Sequence, residues 1–387
     1  MRFFPLLLAG LVGTALVSQG QGLPAGQTES SKPPKKITIL PVPVIFYQQE
    51  TGAGYGLGGL LSGRFGQDTL TRASNARAQA WFTQKHQSLF QFVHTIYSPG
   101  EQYYLNGEIS YYKNLLYYYG IGNDTKKENE SGLSNNLLII NQRVQKSIAP
   151  KLFAGLMYRF TRTTDNTPEQ YATDGHSPNY FLSSDNGRLD QRQRQNTSIS
   201  GVGPVITFDD RDVALAAFKG NLLDMSIMFN GKGIGSDYNF VRYQVDARHF
   251  QPIFSSKTIL ALQFLGQFHS GDVPFRELAG LGANLGGTLY NNANLDRGIY
   301  EQRFRDRQMM TFQAELRQHL FWRIDGAAFG SVGQVGYNIT DFTVDGIKPA
   351  GGLGARFNFI RRDRVNLRFD YAWGSAPGFY FAIGEAF

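Results

Sequence analysis

From about Pro43 to the C-terminus the chain keeps a period of two, and its two phases carry opposite chemistry. Tyr243, Val245 and Ala247 alternate with Arg242, Gln244, Asp246 and Arg248. Phe312, Ala314 and Leu316 alternate with Gln313, Glu315 and Arg317, and Val365, Leu367, Phe369 and Tyr371 with Arg364, Asn366, Arg368 and Asp370. Two residues is the repeat of a strand, so each segment shows one apolar face and one ionic face. A soluble sandwich buries its apolar face against a second sheet and has little use for so many charges on the other side of long aromatic strands. A transmembrane barrel reverses the arrangement, with aromatics against lipid and charges around an aqueous interior. The expected class is therefore all-β, a transmembrane antiparallel β-barrel.

Composition agrees with strands and turns. The 387 residues include 30 Phe, 20 Tyr, 3 Trp and 44 Gly, while 18% are charged. The longest apolar run, Phe3 to Val17, is shorter than the roughly 18 residues a membrane-crossing helix needs, which excludes a helical membrane protein. That run comes after Arg2 and precedes the small-residue stretch Ser18-Gln19-Gly20, the order of a secretory signal peptide over 1–20. The chain has no Cys, so a lipid-anchored cysteine, a disulfide framework and a thiolate metal site are all excluded. Net charge is +7, but the basic residues are dispersed, and export argues against nucleic acid as a partner. The compact cluster Lys32-Pro33-Pro34-Lys35-Lys36 reads as part of a short periplasmic linker over 21–42.

Alternating segments between turn signals number about sixteen, from 43–50 through a fifth at 102–113 to a last at 378–387, an even count as bacterial barrels require. The long polar stretches near 114–133, 162–196 and 270–308 fall at connections five, seven and eleven. Odd connections face outward if both termini are periplasmic, and outer loops are the long ones. The barrel is thus expected over 43–387.

Several motifs add to this pattern. The chain ends on Phe379, Phe381, Ile383, Gly384 and Phe387, alternating as a final strand with Phe379, Phe381, Ile383 and Phe387 toward lipid. Together with Tyr119-Gly120-Ile121-Gly122-Asn123, Phe208-Asp209-Asp210-Arg211-Asp212 before Lys219-Gly220, and Arg297-Gly298-Ile299-Tyr300 before Arg305-Asp306 and Glu315-Leu316-Arg317, it resembles the BamA/TamA superfamily, the bacterial surface antigen barrel. The resemblance covers about Pro41 to Phe387. It implies a sixteen-stranded barrel whose sixth outer loop folds inward and is held by the motif Arg297, Gly298, Ile299 and Tyr300, and a C-terminal strand read by the assembly machinery. The family's usual carboxylate on the thirteenth strand is replaced here by Phe329-Gly330-Ser331. An arginine in a wet lumen needs an acceptor, so Glu315, on the ionic phase of the preceding strand, is the expected partner, with Ser331 a weaker contact. Ile299 stands where the family prefers an aromatic, and Tyr300 is the substitute.

The resemblance also implies POTRA domains for members that insert other proteins, whereas the stretch between Gly20 and Ile37 is too short to fold, so a barrel lacking them is expected. Pro41 and Pro43 remove ladder donors from the first strand, and Gly52, Gly54 and Gly56 weaken the second. Together they mark the first-to-last closure as a weak seam; glycines that merely allow curvature are the alternative.

Chemistry is otherwise sparse. Gly54, Gly56 and Gly59 match a dinucleotide fingerprint but lack the required helix after it. The six histidines show no ligand spacing, Asp209 to Asp212 reads as a charged turn, and no Ser, His and acid are grouped. The expectation is no enzyme and no cofactor. Expected partners are outer-membrane lipids including lipopolysaccharide, the outer-membrane assembly machinery for the chain's own insertion, and a candidate second copy. The favoured function is an accessory in outer-membrane protein or lipid assembly, against a passive channel or structural barrel, and then a membrane-embedded hydrolase.

Overall fold

The computed structural model describes residues 37–48, 52–65, 71–183, 188–189, 191–214, 216–282, 295–360 and 364–387. The signal peptide and most of the linker lie outside them. Sixteen strands form one antiparallel sheet: β1 Ile37–Gln48, β2 Gly52–Gly63, β3 Ser74–Thr83, β4 Ser88–Tyr97, β5 Tyr103–Tyr118, β6 Ser131–Ala149, β7 Leu152–Ala172 and β8 Thr197–Asp209 make the first half. The second half is β9 Gly220–Asn230, β10 Phe240–Pro252, β11 Thr258–Gly271, β12 Gln308–Phe321, β13 Ile324–Gly336, β14 Lys348–Ile360, β15 Val365–Trp373 and β16 Gly378–Ile383. Every neighbour in the sheet is a neighbour in sequence, so the wall is a succession of hairpins. Among the described residues no ladder joins β16 to β1.

Burial separates the two phases. Arg143, Arg159, Asp224, Arg242, Asp246, Glu315, Arg368 and Asp370 are all buried, while Phe90, Leu156, Phe229, Tyr243, Phe312 and Phe369 are 40 to 62% exposed. A water-soluble fold has the reverse polarity. Ionic side chains enclosed and aromatic ones displayed are the arrangement of a transmembrane β-barrel. Val365, on the expected outward phase, is the exception and is buried.

Boundaries move in three places. The first strand begins at Ile37 rather than Pro43, because Pro41 and Pro43 sit inside its ladder opposite Gly59 and Leu57 instead of starting it. The last strand ends at Ile383 rather than Phe387. The outer loops expected at 114–133 and 162–196 contract to 119–130 and 173–196, because β5, β6 and β7 run to 16, 19 and 21 residues, longer than the roughly 9–11 a tilted strand needs to cross the hydrocarbon core. There the inward phase turns apolar: Leu116, Tyr118 and Leu133 pack with Phe181, Leu189, Phe275 and Leu278 under the loops. The rule of charges inside and grease outside stops applying where there is no lipid.

One seam glycine has a different reason to be glycine. A Cβ on Gly56 would lie 2.1 Å from the Ala80 carbonyl oxygen and 2.6 Å from Trp81, so close approach of β2 to β3 requires it.

Phe312→Arg, near the middle of β12 on the outer face, should lose about 2–4 kcal/mol at the bilayer midplane and less toward the interface, whereas Phe312→Leu should stay near wild type. Urea titration of the barrel refolded in lipid vesicles measures both.

Candidate functional site

Loop six, residues 272–307 between β11 and β12, carries its described tip into the barrel. Asp296, Arg297 and Ile299 are buried. The Arg297 guanidinium donates from Nη2 to Glu315 on β12 at 2.5 Å and from Nη1 to Asp370 on β15, and it lies 3.5 Å from the ring centroid of Phe329 on β13. A planar fork can meet two carboxylates and still lay its face on an aromatic ring, which an ammonium cannot do.

The next three residues complete the seat. Gly298 has φ +102°, and a Cβ there would meet the Trp373 carbonyl oxygen at 2.5 Å, so the tip can press this close to the wall only as glycine. Its N–H donates to the Tyr380 hydroxyl on β16 at 2.8 Å, and its carbonyl accepts from Ala376 N–H at 2.8 Å. Ile299 enters an apolar cluster with Leu265, Leu281, Met309 and Val335. Tyr300 instead crosses toward Tyr117 and Tyr119, with ring centroids 5.5 and 6.1 Å apart. An aliphatic side chain suits the apolar cluster, and the aromatic contact moves one residue along.

The structure brings Arg297 and Glu315 together. Ser331 reaches the neighbouring Asp296, which also accepts from Thr311 at 2.5 Å. Sequence reasoning missed Asp370. Its signal was present, a carboxylate on the inward phase of β15, but nothing in one sequence says that a loop tip lies between the twelfth and fifteenth strands. Glu315 is shared further: Arg317 donates to it at 2.8 Å and Arg356 at 3.1 Å. Arg356 also reaches Asp370 at 2.5 Å and Glu385 at 2.9 Å, and Arg368 lies 3.4 Å from Asp370. Four guanidiniums thus surround three carboxylates in a region closed to water.

Glu385 shows where the C-terminus goes. Phe379 is 83% exposed, as a lipid-facing residue should be. Phe381 and Ile383 stand opposite Phe369 and Leu367 in the ladder; their side chains lie outside the described residues. Phe387 does not face lipid. Gly384, at φ +89°, turns the chain inward, and Phe387 is buried against Phe250 and Ala217. The ionised Glu385 needs cationic partners that only the lumen holds, which draws the tail in with it.

Beside the tail, the 210–219 connection covers the same end of the lumen. Asp212 accepts from Val213 and Phe218 N–H at 2.9 and 3.0 Å and from Arg364 at 2.6 Å. Arg317 donates to the Ala217 carbonyl at 3.4 Å and the Phe387 carbonyl at 3.2 Å. Asp209 binds Arg211 and Arg72, each at 2.9 Å, and Asp210 accepts from Asn221. Every carboxylate of the Asp209 to Asp212 run is therefore engaged as in a charged turn. Arg72 also pairs with Glu101, where Lys151 adds a second cation at 3.2 Å. Burial raises the Glu101 carboxyl, but the Arg72 hydrogen bond and charge outweigh it and hold it below the usual carboxylate range.

Pro41, Pro43, Gly52, Gly54 and Gly56 all lie in the β1–β2 ladder, where Gly52, Gly54 and Gly56 face Gln48, Phe46 and Val44. Among the described residues no group of His, Asp and Glu is arranged to hold a metal ion.

This architecture has known relatives. The Omp85 superfamily domain matches residues 69–387. The chain belongs to the Omp85 superfamily. Its barrel is similar to BamA from Haemophilus ducreyi lacking POTRA domains 1–3, with TM-score 0.50 and 12% identity over 90% of this chain and 69% of that one. It is also similar to CdiB from Acinetobacter baumannii, with TM-score 0.52, 11% identity and coverage of 90% and 60%. CdiB from Escherichia coli gives TM-score 0.53, 12% identity and coverage of 92% and 62%. The chain therefore spans 60 to 69% of the lengths of these chains. Comparison with curated protein sequences returns no match. As an Omp85 barrel, the protein resides in the bacterial outer membrane.

Because Glu315 also serves Arg317 and Arg356, a simple exchange of charge between Arg297 and Glu315 is not self-contained. Exchanging Glu315 for arginine in an Arg297→Glu background would oppose Arg317 and Arg356, so no rescue should result. Glu315→Gln strips the hub carboxylate and should cost about 3–5 kcal/mol, as breaking a buried pair does. Arg297→Met leaves both of its carboxylates with other arginines and should cost clearly less while making loop six more sensitive to protease. Urea midpoints in detergent micelles and limited proteolysis measure the two effects. At the other end, the stabilisation held by Glu101 is complete above about pH 4.3, the unfolded carboxylate value, and is lost as pH falls through its lower folded value. Glu101→Gln should therefore flatten the fall of the unfolding midpoint below about pH 4.3.

Proposed function

We propose that this Omp85 barrel is an accessory in outer-membrane protein or lipid assembly, working through a weak closure between β1 and β16 that the inward tip of loop six governs. The observation that carries the reading is the contact of Gly298 with Tyr380, reinforced by Ala376. The loop tip grips the last hairpin of the wall, so a displacement of β16 must break or carry these hydrogen bonds. Arg297 anchors the same tip to β12 and β15, which ties the loop to the strands behind the closure.

The composition of the closing strands supports the same reading. Pro41 and Pro43, two residues apart, take donors from the same edge of β1, and β16 has only six residues in its ladder. Loop six and the C-terminal tail occupy the lumen from its two ends, an arrangement suited to a barrel that moves its wall rather than one that passes solute down its axis.

Because the native chain lacks Cys, cysteine pairs placed across β1 and β16 provide the test. Oxidation should abolish function, read as outer-membrane protein and lipid profiles in cells depleted of the native protein, and reduction should restore it. Unchanged profiles with the seam crosslinked, or steady single-channel conductance in planar bilayers, would establish a static wall or an open pore instead.

A further inference from the structure

We propose that the lipid-facing wall over β5–β7 binds the phosphorylated headgroup of an outer-leaflet glycolipid, lipopolysaccharide, with Lys113 and Arg162 taking its phosphates.

The outward phase of the wall is almost free of charge. Short of Asp165, where the β6–β7 register shifts, its described strand residues include as ionised side chains only Lys113 on β5, Lys146 on β6 and Arg162 on β7. β5 and β7 both rise from periplasmic turns, and Lys113 and Arg162 are each the eleventh residue from that end. A tilted strand crosses the hydrocarbon core in about 9–11 residues, so both cations emerge at its outer edge. Below Lys113 lie Ile109 and Tyr111, 48 and 41% exposed, and below Arg162 lie Leu156 and Tyr158, 62 and 43% exposed. Lys146, near the inner end of β6, belongs to the opposite membrane surface.

The two outer cations are neighbours on the wall. Lys113 stands opposite Asn136, which stands opposite Thr164, and Leu138 on β6 stands opposite Arg162. Two strand spacings and a two-residue offset put their Cα atoms about 12 Å apart, a gap that two long side chains can close onto one headgroup. Both are exposed, and among the described residues neither side chain has an ion pair or a hydrogen bond. Asp165, just beyond on β7, accepts from Asn136 at 2.5 Å and pairs with neither cation. Ser134, Asn136 and Thr164 continue the outward face above Lys113, and Ser198 on β8 stands opposite Arg162.

The order of chemistry along this face selects the occupant. Apolar and aromatic side chains lie lowest, two unpartnered cations at the boundary, and hydroxyls and an amide around and above them. A molecule with acyl chains, phosphates and sugar hydroxyls in the same order matches all three levels, and cations at a membrane surface form strong charge-assisted hydrogen bonds with phosphate. General interfacial anchors would recur around the barrel, whereas this pair is confined to the strands flanking β6. The inference rests on residence in the outer membrane and not on the seam between β1 and β16, and its readout is binding alone.

The test uses the full chain folded in non-ionic detergent and titrated with deep-rough lipopolysaccharide, with bound lipid counted by native mass spectrometry. Wild type should bind saturably, and Lys113→Met with Arg162→Met should weaken the apparent affinity by about tenfold or more. If that double variant does not fold, Lys113→Gln and Arg162→Gln are measured singly, and each should still weaken binding. Lys146→Met should keep wild-type affinity, dephosphorylated lipopolysaccharide should bind as weakly as the double variant does, and millimolar inorganic phosphate should not displace the lipid. The proposal is overturned by a wild type that shows no saturable binding, by outer-cation variants that bind as wild type does, by an equal loss in Lys146→Met, by dephosphorylated lipid that binds as well as the native form, or by full displacement with inorganic phosphate.

Discussion

Charge enclosed in a lumen is the constraint on which the rest of this structure depends. Once alternate residues of sixteen strands face inward, arginines and carboxylates lose water and must find each other across the barrel, because an unpaired buried ion costs several kcal/mol. Many of the pairs that result join residues far apart in sequence. Arg143 meets Asp224, Arg159 meets Glu277, and Arg297 meets both Glu315 and Asp370. These contacts tie loops to strands they do not adjoin and make the interior a set of linked networks rather than a channel lining.

The two segments that enter the lumen illustrate the effect. Loop six brings Arg297 to one face of the Glu315 hub, and the C-terminal tail brings Glu385 to Arg356 and Arg317, which serve the same hub. The two segments therefore meet the same guanidinium and carboxylate network. Phe387 is carried inward by the same electrostatics and then adds apolar contact with Phe250 and Ala217. The outer end is closed differently, by the apolar cluster around Tyr118, Leu133, Phe181 and Phe275. The protein thus holds its two inserted segments by a shared ion-pair network and closes the space under the outer loops by apolar packing.

Much of this is legible in the residues. All sixteen strands, the hairpin order and the placement of long connections come from period-two patterning and turn chemistry, because side-chain alternation across a lipid-facing wall is a local property. Glu315 can be selected as an acceptor for Arg297 from its phase alone. Legibility ends where locality ends. The outward rise of β5, β6 and β7 is hidden because the inward face there packs against loops from elsewhere in the chain, and the inward turn of Phe387 is hidden because Gly384 and Glu385 act after the strand has ended. Pro41 and Pro43 read as a strand start, though the ladder simply runs past them.

The amino-acid order by itself determined a barrel wall with greasy residues outward and ionic ones inward, and it placed one arginine in a loop long enough to come back inside. Only the tertiary structure decided which ions meet. Asp370 and Glu315 are separated by several strands along the wall, and the guanidinium that joins them arrives from a third segment, so their partnership exists only after the strands have been set side by side and the loop has entered between them. Coulomb attraction and desolvation depend on separation in space, and separation along a chain that curves back on itself carries almost no information about it.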